Sequence, residues 1–105
     1  MIEKVYKMTQ GNEKTVERII TDENIHYAHI ILNKNEGTPE HYTNANLYMT
    51  VLRGKLSIQL AEQEIHEYNT GDILKIPNNT KMTVKNLHED VLELMVVKAP
   101  APLVE

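Results

Sequence analysis

The sequence predicts an all-β fold, a sandwich or barrel built from many short strands. Three observations point there. Six short runs between residues 25 and 98 are rich in Val, Ile, Leu, Met, Thr or Tyr. Each is bounded by Gly, Pro, Asn or Asp, which end strands and open turns. The runs also follow one another at close spacing, as in sandwiches and barrels.

In order, the runs are IHYAHIIL (25–32), NLYMTVL (46–52), KLSIQL (55–60), DILKIP (72–77), KMTVKNL (81–87) and VLELMVVK (91–98). Arg53-Gly54 lies between two of them and reads as a tight hairpin turn, with Gly supplying positive φ. NTGD (69–72) and PNNT (77–80) are further turn clusters. One upstream segment, KTVERIITDEN, is ambiguous. Val16, Ile19 and Ile20 fit a helical spacing, whereas Val16, Arg18 and Ile20 alternate as a strand does. The tail, residues 99–105, carries two prolines and cannot continue a central strand, because Pro donates no ladder hydrogen bond. It is expected to run as an extended arm along the surface or along a partner.

Composition bounds the function. A chain of 105 residues has room for one core and is read as a single domain. With 41% hydrophobic residues it can fold, but its five aromatics are all Tyr, so the core rests on Ile, Leu, Val and Met. The absence of Cys removes disulfides, thiolate ligands and thiol nucleophiles. A net charge of −4 argues against binding a nucleic-acid backbone. The apolar runs are too short for a membrane span and MIEKVYKMTQ has no signal-like apolar stretch, so a cytoplasmic location is expected. Mixed-charge stretches such as GNEKTVER read as solvated surface.

The segment GDILKIPNNTKMTVKN (71–86) resembles the second motif of the cupin family, G-x5-P-x-G-x2-H-x3-N. Gly71, Pro77 and Asn86 fall on its spacing, Asn79 stands at the second Gly, and Met82 at the His. Upstream, residues 35–54 resemble the first motif, G-x5-H-x-H-x3-4-E-x6-G. Counting back from Gly54, Leu47 takes the Glu position, Thr43 the second His and His41 the first, with Asn35 at the opening Gly. The resemblance implies a small cupin, a jelly-roll-like double-stranded β-helix barrel, and implies a strand at KTVERIITDEN.

The same resemblance places the usual metal cage at His41, Thr43, Leu47 and Met82. Divalent ions need several imidazole or carboxylate donors converging at about 2.0–2.6 Å. One imidazole, one hydroxyl, one aliphatic and one thioether do not supply them, so no metal is expected, with His41 the ligand if any. Two compensations are conceivable. Other histidines could contribute: His26 and His29 are three apart and point to opposite strand faces, His66 alternates with Tyr68, and His88 lies in a loop. Alternatively Met82, Met49, Met95 and His41 could hold Cu(I), which accepts thioethers. The plainer reading is that these Met fill irregular core space.

Without the cage, the barrel mouth becomes an apolar ligand pocket. Its expected lining is His41, Thr43, Leu47, Met49, Met82 and Val84, with Val51 and Asn86 on the same face and Tyr42 and Tyr48 on the other. Three classes of function follow. The first is a metal-free small-molecule-binding domain anchored by His41 and Thr43. The second is an enzyme, either isomerase- or epimerase-like with His41 as base or metal-dependent with unusual ligands. The third is a dimeric assembly module. A homodimer is the expected partner, with the apolar end VLELMVVKAPAPLVE contributing to it.

Overall fold

The computed structural model describes residues 1–103 of the 105. Nine strands and no helix occur among them: β1 Thr15–Thr21, β2 His26–Asn33, β3 His41–Tyr42, β4 Leu47–Arg53, β5 Lys55–Leu60, β6 His66–Asn69, β7 Ile73–Ile76, β8 Lys81–Lys85 and β9 Val91–Lys98. They form a five-stranded sheet, β1-β2-β9-β4-β7, facing a four-stranded sheet, β3-β8-β5-β6. Every pairing is antiparallel. The two inner faces enclose a core of Leu32, Leu47, Met49, Val51, Leu56, Ile58, Ile76, Val84 and Leu92 with their neighbours.

All six sequence-read runs are strands, displaced by at most two residues at an end. The ambiguous segment is a strand too. A register shift between Arg18 and Ile20, where β1 pairs with β2, explains its mixed period: one extra residue breaks the alternation and leaves Ile19 and Ile20 both half-buried. Two strands escaped the sequence reading. β3 is two residues long, and β6 is polar, edge-placed and mostly exposed.

The expected hairpin at Arg53-Gly54 is a corner instead. β4 pairs with β7 and β9, and β5 with β6 and β8, so the chain changes sheet at Gly54. Gly is required there twice over. Its φ is 85°, and a Cβ would lie 2.3 Å from the Val91 carbonyl oxygen. Asn35 and Asn79, which stand where the cupin pattern has glycines, adopt φ of 69° and 61°. Asn tolerates this left-handed region better than most residues, so the backbone shape survives the substitution.

The tail follows the surface. Ala99 donates its N–H to the Asn46 carbonyl and Ala101 donates to that of Asn24, while Leu103 is exposed; residues 104–105 lie outside the described residues. β9 is a central strand, paired on both sides by β2 and β4, and has no free edge to offer. The edges belong to β1, β7, β3 and β6.

Candidate ligand-binding site

Register across the five-stranded sheet builds the floor of a cavity. Arg18, Ala28, Val96, Met49 and Leu74 form one inward-facing row, and Val16, Ile30, Leu94 and Val51 form the next. Met82 and Val84 approach from β8 in the opposite sheet, and Gly37, Thr38 and Pro39 close one side. Gly37 has to be glycine: a Cβ would lie 2.7 Å from the Val84 carbonyl oxygen. The cavity is about 470 Å³ and open on one side, and the more exposed side chains of its border are Lys14, Val16, Arg18 and His41. That volume is ordinary for a small-molecule site, which spans roughly 300–1,000 Å³.

Of the expected lining, His41, Leu47, Met49, Met82 and Val84 border this cavity. Thr43 is not among the bordering residues. Its hydroxyl donates to the Pro77 carbonyl (2.8 Å) and accepts from the Thr80 N–H (2.8 Å), so it clamps the PNNT turn. Asn86 is likewise structural: its amide donates to the carbonyls of Leu32 and Glu89. Tyr42 and Tyr48 lie on the outer side and are exposed, as alternation predicts.

His41 is not a lone imidazole among apolar groups. It is exposed, and Nδ1 lies 2.9 Å from the Pro39 carbonyl. A carbonyl only accepts, so Nδ1 carries the proton and Nε2 is the basic nitrogen of the neutral ring. Thr38, which sequence reading missed, is the polar group of most interest. The residue borders the cavity, and its hydroxyl is buried without a hydrogen-bond partner.

The residues at the cage positions do not fit a divalent metal. Leu47 has no donor, the Thr43 hydroxyl is committed to the turn, and His41 and Met82 remain as an imidazole and a thioether. Among the described residues no group of three or more His, Asp or Glu is arranged to hold an ion. The thioether trio considered for Cu(I) is not assembled either. Met49 and Met82 face each other across the cavity, but Met95 pairs with His29 and Thr50 on the outer face.

The remaining histidines stand away from the cage positions. His26 and His29 occupy opposite faces of β2, as their spacing predicts, and both are buried. His26 lies in register with Lys98 on the inner face, beyond the cavity. His66 is exposed while Tyr68 packs against the core, and His88 pairs with Glu67 on the outside.

His29 organises the outer face. Its Nδ1 lies 2.7 Å from Glu17 and its Nε2 2.6 Å from Glu93, and Glu93 also receives Arg53 Nε at 2.7 Å. Arg53 goes on to donate to Asn12 and to the Gly11 carbonyl, and Thr9 donates twice to Glu17. A chain of charged hydrogen bonds therefore ties residues 9–12 onto the back of the sheet. The His29 hydrogen bond, aided by the Thr9 N–H, holds the Glu17 carboxyl below its ordinary range. Burial pushes Glu93 up, but hydrogen bonds from His29 and Arg53 overcome this and hold it low as well.

No family model matches the chain. It is 39% identical over 103 residues to an uncharacterised protein of Methanocaldococcus jannaschii, a match spanning 97% of this chain and 89% of that one. The crystal structure of that relative, an RmlC-like cupin family protein with a double-stranded β-helix fold, aligns with a TM-score of 0.95 over 97% of this chain and 94% of the other. This chain belongs to the RmlC-like cupin family. Its double-stranded β-helix is shared with more distant proteins. A cupin superfamily protein of Desulfitobacterium hafniense aligns at TM-score 0.74 and 10% identity over 89% of this chain and 83% of its own. A double-stranded β-helix protein of Klebsiella pneumoniae aligns at 0.76 and 13% over 91% and 84%. At such identities the likeness concerns the fold alone.

Proposed function

We propose that this cupin binds a small organic molecule in its barrel cavity without a metal cage, as a cytoplasmic protein. The observation that carries the reading is an apolar cavity of about 470 Å³ walled by Ala28, Ile30, Met49, Met82 and Val84. Apolar walls supply the affinity of such sites, and a few polar groups fix orientation. N-phenyl-1-naphthylamine, a neutral apolar fluorophore, tests it. The wild type is expected to bind about one probe per chain and to be stabilised by it. Ala28→Phe, which fills the floor, and Val16→Trp, which blocks the mouth from an exposed position, are both expected to weaken binding at least about tenfold. Equal binding by a folded blocked variant, or no binding by the wild type, would remove the reading.

A catalytic use of the same cavity, isomerase- or epimerase-like, is the second reading. The bond from Nδ1 to Pro39 favours it by leaving His41 Nε2 as a base at the cavity edge. His41→Ala is expected to retain probe binding within about twofold, since the ring sits at the exposed rim.

We also propose a homodimer. Residues 1–8 lie ahead of the segment that Arg53 and Glu17 tie down, and Ile2, Val5, Tyr6 and Met8 are exposed on them. Val16 on edge strand β1 and Ile73 on edge strand β7 add exposed apolar surface. Apolar side chains on an extended arm beside an open sheet edge suit a second copy of the chain.

A further inference from the structure

The cavity can satisfy a polar group of a ligand only at its rim. Its walls are formed by side chains such as Ala28, Ile30, Met49, Met82, Val84 and Val96, which offer nothing stronger than a thioether acceptor. A polar atom placed among them would lose its water without replacement. Most polar side chains on the border are already engaged. Glu17 is held by Thr9 and His29 on the outer face. Lys98 Nζ donates to Asn44 Oδ1 at 2.9 Å, and Arg18 has a partner of its own. The Thr38 hydroxyl is buried and presents no surface. Lys14 and His41 remain. Lys14 precedes β1 on a long flexible stem, whereas the His41 ring is held in one orientation.

Register shows which way His41 faces. It stands directly opposite Met82 across β3 and β8, and directly opposed residues project from the same side of a sheet. Met82 is buried in the core, so the imidazole rises on the cavity side, while Tyr42, opposite Lys81, is turned outward. The ring is exposed at the rim of the cavity. Its Nδ1 donates to the Pro39 carbonyl, which restrains the ring and leaves Nε2 with its lone pair. Among the described residues Nε2 has no partner. We propose that the cavity takes neutral apolar alcohols or phenols. The ligand hydroxyl donates to His41 Nε2, and the hydrocarbon body fills the space between Ala28, Ile30, Met49 and Met82. The inference rests on the cavity being a binding site and adds the class of molecule that it takes. An ether of the same shape would bury the same walls but leave Nε2 without a donor.

A matched pair of probes separates the two claims. 1-Naphthol and 1-methoxynaphthalene share one aromatic body, and only the first can donate a hydrogen bond. Both are titrated by fluorescence against the wild type, His41→Ala and His41→Phe. The first variant removes the ring and the second keeps its bulk without an acceptor; the exposed position tolerates either. Each variant is expected to weaken 1-naphthol about three- to tenfold, the worth of one neutral hydrogen bond, while 1-methoxynaphthalene changes less than about twofold. Comparing each probe with itself across the variants cancels the difference in how water solvates the two. If the probes respond alike, or neither responds, the preference for a hydroxyl is overturned while the cavity reading stands. If neither probe binds the wild type, the cavity reading falls and this inference with it.

Discussion

His29 has both ring nitrogens against carboxylate oxygens, at 2.7 and 2.6 Å, in a fully buried position. The Glu17–His29–Glu93 unit is a pair of short bonds between a buried ring and two partly exposed carboxylates. Its removal is costly because it takes one hydrogen bond from each of two carboxylates, leaving Glu17 to Thr9 and Glu93 to Arg53. His29→Ala is expected to destabilise the fold by about 2–3 kcal/mol in urea titrations, somewhat under the usual figure for breaking a buried pair because both carboxylates reach some solvent. The pH dependence follows from the carboxyls. Glu17 and Glu93 are depressed in the folded chain, so they bind fewer protons than when unfolded. Their stabilisation is complete above the unfolded Glu pKa, about 4.3, and is lost as pH falls through the lower folded values. Urea midpoints measured from pH 7 to pH 3 should fall in the wild type below about pH 4.5, and fall less steeply in Glu17→Gln. None of this was legible in the sequence. The partners of His29 stand 12 and 64 residues away, and only strand register brings them together. Asn35 and Asn79 are the opposite case: family spacing put them at glycine positions, and their left-handed φ agrees.

Among the elements, the corner between β4 and β5 shows what a local signal can and cannot carry. A glycine between two apolar runs reports positive φ, which Gly54 has, but a hairpin and a change of sheet need the same residue. The choice is made far away, by β9 and β7 pairing with β4 and leaving β5 to the other sheet. The strands themselves were readable because aliphatic alternation is local, whereas β6 was lost in a polar edge segment that buries too little to show a period. Thr43 is absent from the cavity border for a related reason. Alternation put it on the inner face of an extended segment, but β3 ends at Tyr42 and the chain bends to meet the PNNT turn. Two glycines give a paired test. Gly54→Ala combines a strained φ with a Cβ 2.3 Å from a backbone oxygen and is expected to cost about 2–4 kcal/mol. Gly71→Ala meets nothing within 4 Å and should cost only the φ penalty, about 1 kcal/mol.

For the whole molecule, the family framework is kept while its metal positions hold residues that cannot form the usual cage. Leu47 and Met82 line an apolar cavity, and Thr43 holds the turn beside it. No helix among the described residues is long and apolar enough to cross a membrane. The exposed N-terminal arm carries its own prediction. Light scattering should give a dimer mass for the full chain, and deletion of residues 1–8 should shift the equilibrium to monomer; an unchanged mass would place the interface elsewhere. The cavity stayed half-legible in the sequence. Alternation found its walls in β4 and β8, but Lys14, Arg18, Thr38 and Lys98 reach its mouth only through the pairing of β1, β2 and β9. The most direct test is native mass spectrometry of the protein equilibrated in parallel with N-phenyl-1-naphthylamine and with Mn²⁺, Zn²⁺ and Cu(I). The account predicts one retained probe per chain, lost in Ala28→Phe and Val16→Trp, and no retained metal. A tightly held single ion released by His41→Ala or Met82→Leu, or the absence of any probe adduct, would contradict it.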